Sequence, residues 1–135
     1  MTKPSPIALV VCDNIYSESG GKTALVGLFN RITTQEFPAK HSRLCVYASV
    51  TDIRPNVKFK LDVVHSETDE MVVSLEGEPP KNVTPIAVFD FTFDLRNLVF
   101  KQPGLYFIRL WGNEHILLQR PFQVIRAPDK KQPDS

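Results

Sequence analysis

Apolar and polar side chains alternate along most of this chain with a period of two residues, the period of a β-strand, and glycine, proline and asparagine break the alternation at intervals. The plainest case runs from Pro103 to Val124 (PGLYFIRLWGNEHILLQRPFQV), where two β-rich runs flank Gly112-Asn113-Glu114. That pattern predicts a hairpin, with Tyr106, Ile108 and Leu110 on one face of its first strand and Leu105, Phe107, Arg109 and Trp111 on the other.

Upstream, the β-branched run Ile7 to Tyr16 ends at Ser17-Glu18-Ser19-Gly20-Gly21, and Thr23 to Ile32 resumes the strand pattern, which predicts a first hairpin. Glu36-Phe37-Pro38 and Lys40-His41-Ser42 read as an interruption. Arg43 to Thr51 then places Leu44, Val46, Ala48 and Val50 on one face and Cys45, Tyr47 and Ser49 on the other. After an Arg54-Pro55-Asn56 turn, Val57, Phe59, Leu61 and Val63 oppose Lys58, Lys60 and Asp62, the pattern of a sheet solvated on one surface. Glu67 to Glu70 reads as a turn, Met71 to Glu76 as a short strand, and Gly77 to Pro80 as a further break.

From Pro85 to Leu95 the row Ala87, Phe89, Phe91, Phe93 and Leu95 requires a core to face, because an exposed aromatic row invites aggregation. Arg96 to Lys101 reads as a helical turn or a loop. No segment sustains the 3.6-residue apolar period of a helix, and no internal repeat is evident. About eight strands separated by turn signals predict an all-β fold, an antiparallel β-sandwich of immunoglobulin-like or related Greek-key type. The folded domain is expected over residues 7–126, between a flexible N-terminal tail at 1–6 and a disordered C-terminal tail at 127–135.

Composition narrows the function classes. At 135 residues the chain fits one domain, which at that size buries about two-thirds of its unfolded surface. The 16 Lys and Arg nearly cancel the 15 Asp and Glu, so no long-range field draws in a phosphate backbone, and nucleic acid is not an expected partner. No apolar stretch approaches the ~20 residues that span a bilayer, so no membrane partner is expected. Ile7 to Val11 is too short for the core of an export signal, and a cytoplasmic location with both cysteines, Cys12 and Cys45, reduced is the expectation. For the same reason Asn82-Val83-Thr84 carries no weight as a glycosylation acceptor.

Candidate chemistry is sparse. His41, His65 and His115 have no second ligand at the short spacings of zinc sites and read as surface histidines. Cys12, among apolar neighbours, reads as a small buried hydrophobe with a raised thiol pKa. Asp90 and Asp94 share a strand face at ~13 Å, too far to cooperate as an acid/base pair, and read as a solvated face balanced by basic residues on a neighbouring strand. Gly20-Gly21-Lys22-Thr23 ends like a phosphate loop but lacks the earlier glycine and is followed by a strand. Asp13, inside an apolar strand, is expected to form a structural ion pair with Arg109 or Arg120 or to take a capping role. No catalytic, metal or cofactor residues are assigned, and no cofactor is expected.

Leu105, Phe107, Arg109 and Trp111 leave an apolar surplus, since the opposite strand face already serves the core. Either the fold covers that row or the row is an interface, for which Trp, Phe and Arg are favoured anchors. The leading expectation is a non-enzymatic binding or assembly module that contacts a protein partner or forms a homo-oligomer through this row. The alternative is a small enzyme or ligand-binding sandwich with a site at a loop end, built from the histidines and aspartates. Carbohydrate recognition by exposed aromatics ranks last.

Ala8 to Asp13 (ALVVCD), the Gly-Lys turn, Leu25 to Ile32 (LVGLFNRI), Phe37-Pro38, and the closing PGLYFIRL and QRPFQV together resemble a bacterial family catalogued as a domain of unknown function. The resemblance spans Ile7 to Val124 and is most specific at Cys12-Asp13, Gly27, Phe37-Pro38, Pro103-Gly104, Tyr106 and Arg120. It implies a small β-sandwich and contributes no reaction, substrate or cofactor.

Overall fold

Alternating side chains can all be satisfied when sheets stack, with each strand turning every second residue into the shared layer. In the computed structural model, which describes residues 3–79, 81–82 and 84–128, nine strands follow one another: β1 (Ser5–Glu18), β2 (Lys22–Leu28), β3 (Arg31–Thr34), β4 (Ala39–Thr51), β5 (Phe59–His65), β6 (Met71–Gly77), β7 (Phe89–Phe100), β8 (Gly104–Gly112) and β9 (His115–Arg126). They form a four-stranded sheet, β2-β1-β4-β7, and a five-stranded sheet, β3-β9-β8-β5-β6. Every pairing is antiparallel except β3 beside β9. No helix occurs among the described residues.

One buried cluster joins the sheets. Leu9, Val11, Val46, Ala48, Phe91 and Leu95 from the first meet Phe59, Leu61, Ile108, Leu110, Phe122 and Val124 from the second. Aromatic rings bridge the gap, Phe59 against Phe91 at 4.7 Å and Phe100 against Phe122 at 6.3 Å between centroids. The fold is therefore an all-β sandwich. The terminal hairpin forms as its sequence predicts: β8 and β9 join through Asn113-Glu114, and Asn113 adopts φ 54°, a left-handed conformation that asparagine tolerates. Asn113 also ties this turn to the loop before β5, its amide donating to the Lys58 carbonyl (2.7 Å) and its side-chain oxygen accepting from the Lys58 amide (3.0 Å).

Several expected boundaries move. Thr23 to Ile32 is not one strand: the chain leaves the first sheet after Leu28, crosses through Phe29-Asn30 and enters the second sheet as β3. The crossing is held where the Phe29 amide donates to the Val11 carbonyl and the Gln123 amide donates to the Asn30 carbonyl. Phe29 turns edge-on to Phe122 at 5.8 Å, filling the seam. Lys40-His41-Ser42, read as an interruption, belongs to β4, and Arg96 to Phe100, read as a helical turn or loop, continues β7.

The cause is a change of phase. Leu95 is buried, Arg96 and Asn97 are both exposed, and Leu98 and Phe100 are buried again, with Asn97 at φ 55°. In the partner strand Ser42 and Arg43, which lie opposite Asn97 and Arg96, both escape burial as well. The two strands slip together and keep their register.

β7 begins only at Phe89, because the segment before it crosses the end of β4, where the Thr51 hydroxyl donates to the Ala87 carbonyl (2.8 Å). β1 begins at Ser5, inside the expected N-terminal tail, where Ser5 and Pro6 pair with Thr51 and Val50. Of the expected C-terminal tail, residues 129–135 lie outside the described residues, as do Val83 of Asn82-Val83-Thr84 and Met1-Thr2.

The connection from β7 to β8 is fastened by Tyr106. Its ring sits edge-on to Phe100 (5.1 Å) and to His65 (4.8 Å), and its hydroxyl donates to the Gln102 carbonyl at 2.5 Å. Tyr106→Phe keeps the ring packing and leaves that carbonyl without its donor. The expected loss is about 1 kcal/mol of unfolding free energy, read from urea denaturation with an unchanged slope.

Candidate functional site

The outer face of the five-stranded sheet carries the row Leu105, Phe107, Arg109 and Trp111, each of them half-buried. The register sets their neighbours: Phe107 lies between Val64 and Pro121, Arg109 between Asp62 and Gln119, and Trp111 between Lys60 and Ile116. At the centre is Asp62, whose side chain has no solvent exposure although it points away from the core. Its alternation with Lys58 and Lys60 predicts a solvated position, and the structure overturns that reading.

Asp62 is covered by the two residues it holds. Arg109 grips the carboxylate as a fork, Nε to Oδ1 at 2.7 Å and a terminal guanidinium nitrogen to Oδ2 at 2.9 Å, and Trp111 Nε1 donates to Oδ2 at 3.1 Å. The Lys60 ammonium lies 4.6 Å from the Trp111 ring centroid and the Arg109 guanidinium 5.0 Å from it. A buried carboxylate is costly unless paired and hydrogen-bonded, and the planar fork of arginine meets that need with two parallel bonds. The hydrogen bond to Asp62 holds the Arg109 guanidinium above its ordinary pKa, against the opposing effect of burial.

Mechanically, the cluster fixes an arginine and a tryptophan in one orientation on an open sheet face. Pro121, Met71 and Ile116 extend the same face as exposed apolar side chains. Nothing in the cluster is a nucleophile. It is suited to presenting a rigid aromatic and cationic surface.

The expected ion pair of Asp13 does not form. Asp13 is exposed, and among the described residues it makes no salt bridge. No residue of β1 after Cys12 is buried and no residue of β2 is, so this hairpin projects beyond the sandwich and leaves Asp13 in solvent, against the backbone of Gly27. Arg109 is committed to Asp62. Arg120 crosses the seam between the sheets, donating to the Leu9 carbonyl (2.5 Å) and the Asn30 side-chain oxygen (2.6 Å).

The histidines remain apart. His65 is buried rather than on the surface: its Nδ1 accepts from the amides of Glu67 (3.1 Å) and Thr68 (3.3 Å), and its Nε2 lies 3.2 Å from the Pro103 carbonyl, so the proton resides on Nε2. It secures the turn between β5 and β6. His115 is exposed at the start of β9, and His41 packs near Phe29. Among the described residues no group of three His, Cys, Asp or Glu is placed to hold a metal ion.

Asp94 bonds Arg43 and Arg96, each at 3.0 Å, and Asp90 accepts from Ser49 at 3.0 Å. Burial raises the Asp94 carboxyl pKa, but the hydrogen bonds from Arg96 and Arg43 outweigh it and hold the group below its ordinary value. Gly20-Gly21 forms the turn into β2, with no helix behind it. At one end of the sandwich an open cavity of about 580 Å³ is lined by Lys3, Lys58, Lys60, Glu76, Glu114 and His115, a mixed set of charges in which lysine outnumbers glutamate.

A small two-sheet β domain with a buried acidic residue organising one outer face is the class these features define. The chain belongs to DUF6941, a family of unknown function whose sequence profile matches residues 7–125. A comparison with curated proteins finds no match.

Asp62 and Lys60 are the site residues that alternation alone misses. A signal was present: the outward row Lys58, Lys60, Asp62 ends in Val64, and the facing row on β8 is apolar but for Arg109, so this surface had to be covered in part. Arg109→Met strands the buried carboxylate and is expected to cost about 3 kcal/mol of unfolding free energy in urea titrations. Adding Asp62→Leu removes the stranded charge and recovers most of that loss; a double variant as unstable as the single one contradicts the pairing.

Proposed function

We propose that the protein is a non-enzymatic binding or assembly module, and that the outer face of its five-stranded sheet, centred on Leu105, Phe107, Arg109 and Trp111, contacts a protein partner or a second copy of the chain. The observation that carries the reading is the clamp of Asp62 on Arg109 and Trp111. Long side chains normally lose rotamer freedom on docking, at about 0.5–1.5 kcal/mol each, and here two strong anchor types are already immobilised before any partner arrives. Phe107, Pro121 and Met71 supply an apolar surround of the kind enriched at interface centres.

We further propose that the sandwich is immunoglobulin-like. In support, the short strand β3, which follows the β1-β2 hairpin, lies in the other sheet and runs parallel to the last strand, β4 to β5 and β7 to β8 both cross between sheets, and a tyrosine near the start of β8 bonds backward to the backbone. The rival reading, a ligand site at a loop end, draws on the end cavity beside His115, whose mixed charges favour no particular ligand.

Affinity capture with the wild-type chain and with Phe107→Glu, joined to sedimentation velocity over a wide concentration range, tests the proposal. The expected result is a partner, or a self-associated species, that Phe107→Glu abolishes while the melting temperature holds. A monomer at every concentration, with the same proteins captured by both chains, overturns it.

A further inference from the structure

Cys12 and Cys45 lie directly opposite one another on adjacent antiparallel strands, β1 and β4, as Cα partners in the register. Both are unbridged and buried, and both side chains occupy the outer face of the four-stranded sheet, opposite in phase to Val11, Leu44 and Val46. The thiols lean the same way along β1: Cys12 Sγ donates to the Asn14 carbonyl at 3.4 Å and Cys45 Sγ to the Asp13 carbonyl at 3.6 Å, two consecutive acceptors. Opposed residues in an antiparallel pair have Cα atoms about 4.5–5.5 Å apart, inside the ~4.4–6.8 Å window for a disulfide.

We propose that Cys12 and Cys45 are a reversible disulfide site that cross-links β1 to β4 when the protein meets a low-molecular-weight disulfide. The thiolate of one cysteine attacks a sulfur of oxidised glutathione, breaking that S–S bond and releasing one glutathione thiolate. The second cysteine then attacks the protein sulfur of the mixed disulfide, forming the Cys12–Cys45 bond and expelling the second glutathione. Both thiol protons end on the two reduced glutathiones, the cysteines lose two electrons, and the reagent gains them.

The surroundings set the character of the bond. Opposed Cβ atoms in antiparallel pairs stand about 4.5–5.5 Å apart and a disulfide typically holds them at ~3.8 Å, so closure draws the two strands together at this pair. Burial raises the pKa of both thiols, and Cys45 raises that of Cys12 further, so attack on the reagent is slow. The way in is from the sheet edge. Cys12 pairs on its other side with Leu28 of β2, which is exposed and whose strand is hydrogen-bonded only to β1. Opening of that edge strand uncovers the sulfur without disturbing the core.

Equilibrating the native full-length chain in glutathione buffers of graded oxidised-to-reduced ratio, then trapping free thiols and mapping peptides by mass spectrometry, tests the site. The expected product is a monomer lighter by two hydrogens, with Cys12 and Cys45 peptides linked, that reverts in reduced glutathione. Cys45→Ser is expected to stop at a glutathione adduct on Cys12, and Cys12→Ser at one on Cys45. Two thiols that stay free at the oxidising limit, a disulfide-linked dimer, or adducts on the wild-type chain that never resolve to the internal bond would each overturn the proposal.

Discussion

The shared apolar layer is the constraint on which the rest of this molecule depends. Two sheets stay together because Phe59, Phe91, Phe100, Tyr106 and Phe122 fill the space between them ring against ring, with Leu, Ile and Val closing the gaps. The strands that cover that layer must therefore present alternate residues to it. Where the chain cannot, it changes phase through a local device: a left-handed Asn97 in β7, a bulge at Leu110/Trp111 between β8 and β9, and another at Val63/Val64 between β5 and β6.

With the inner faces committed, the outer faces are where the protein departs from a generic sandwich. A solvated sheet surface does not require a carboxylate with no exposure, and burying one costs stability unless its bonds are complete. Asp62 completes them with Arg109 and Trp111, and the result is orientation: a flexible guanidinium and a large indole become fixed parts of the sheet. The four-stranded sheet instead hides two thiols side by side on its own outer face, where the buried part of β1 ends and the unburied remainder of the β1-β2 hairpin begins. The two outer faces thus carry different chemistry on one core.

Much of the architecture was legible from alternation. The terminal hairpin, the inward rows of β4, β5, β7 and β8, and the two-sheet plan follow from which residues share a parity. Boundaries failed where parity slips, because a strand that exposes two successive residues, as at Arg96-Asn97, has locally lost the signature of a strand. The sheet switch at Phe29-Asn30 was hidden for a related reason. Thr23 to Ile32 reads as one β-rich run, and only the position of β9 beside β3 shows that its last part pairs elsewhere.

The linear order of side chains determined that this chain forms strands, which residues of most strands turn inward, and that a surplus of apolar surface remains on β8, because these are consequences of spacing within a strand. Tertiary structure alone decided who meets whom across strands. Asp13 lost both arginines that its sequence context offered, one to Asp62 and the other to the seam at Leu9 and Asn30, and Cys12 came to face Cys45. Those partnerships depend on strand order and register, which are set by the collective packing of both sheets rather than by any local run of residues.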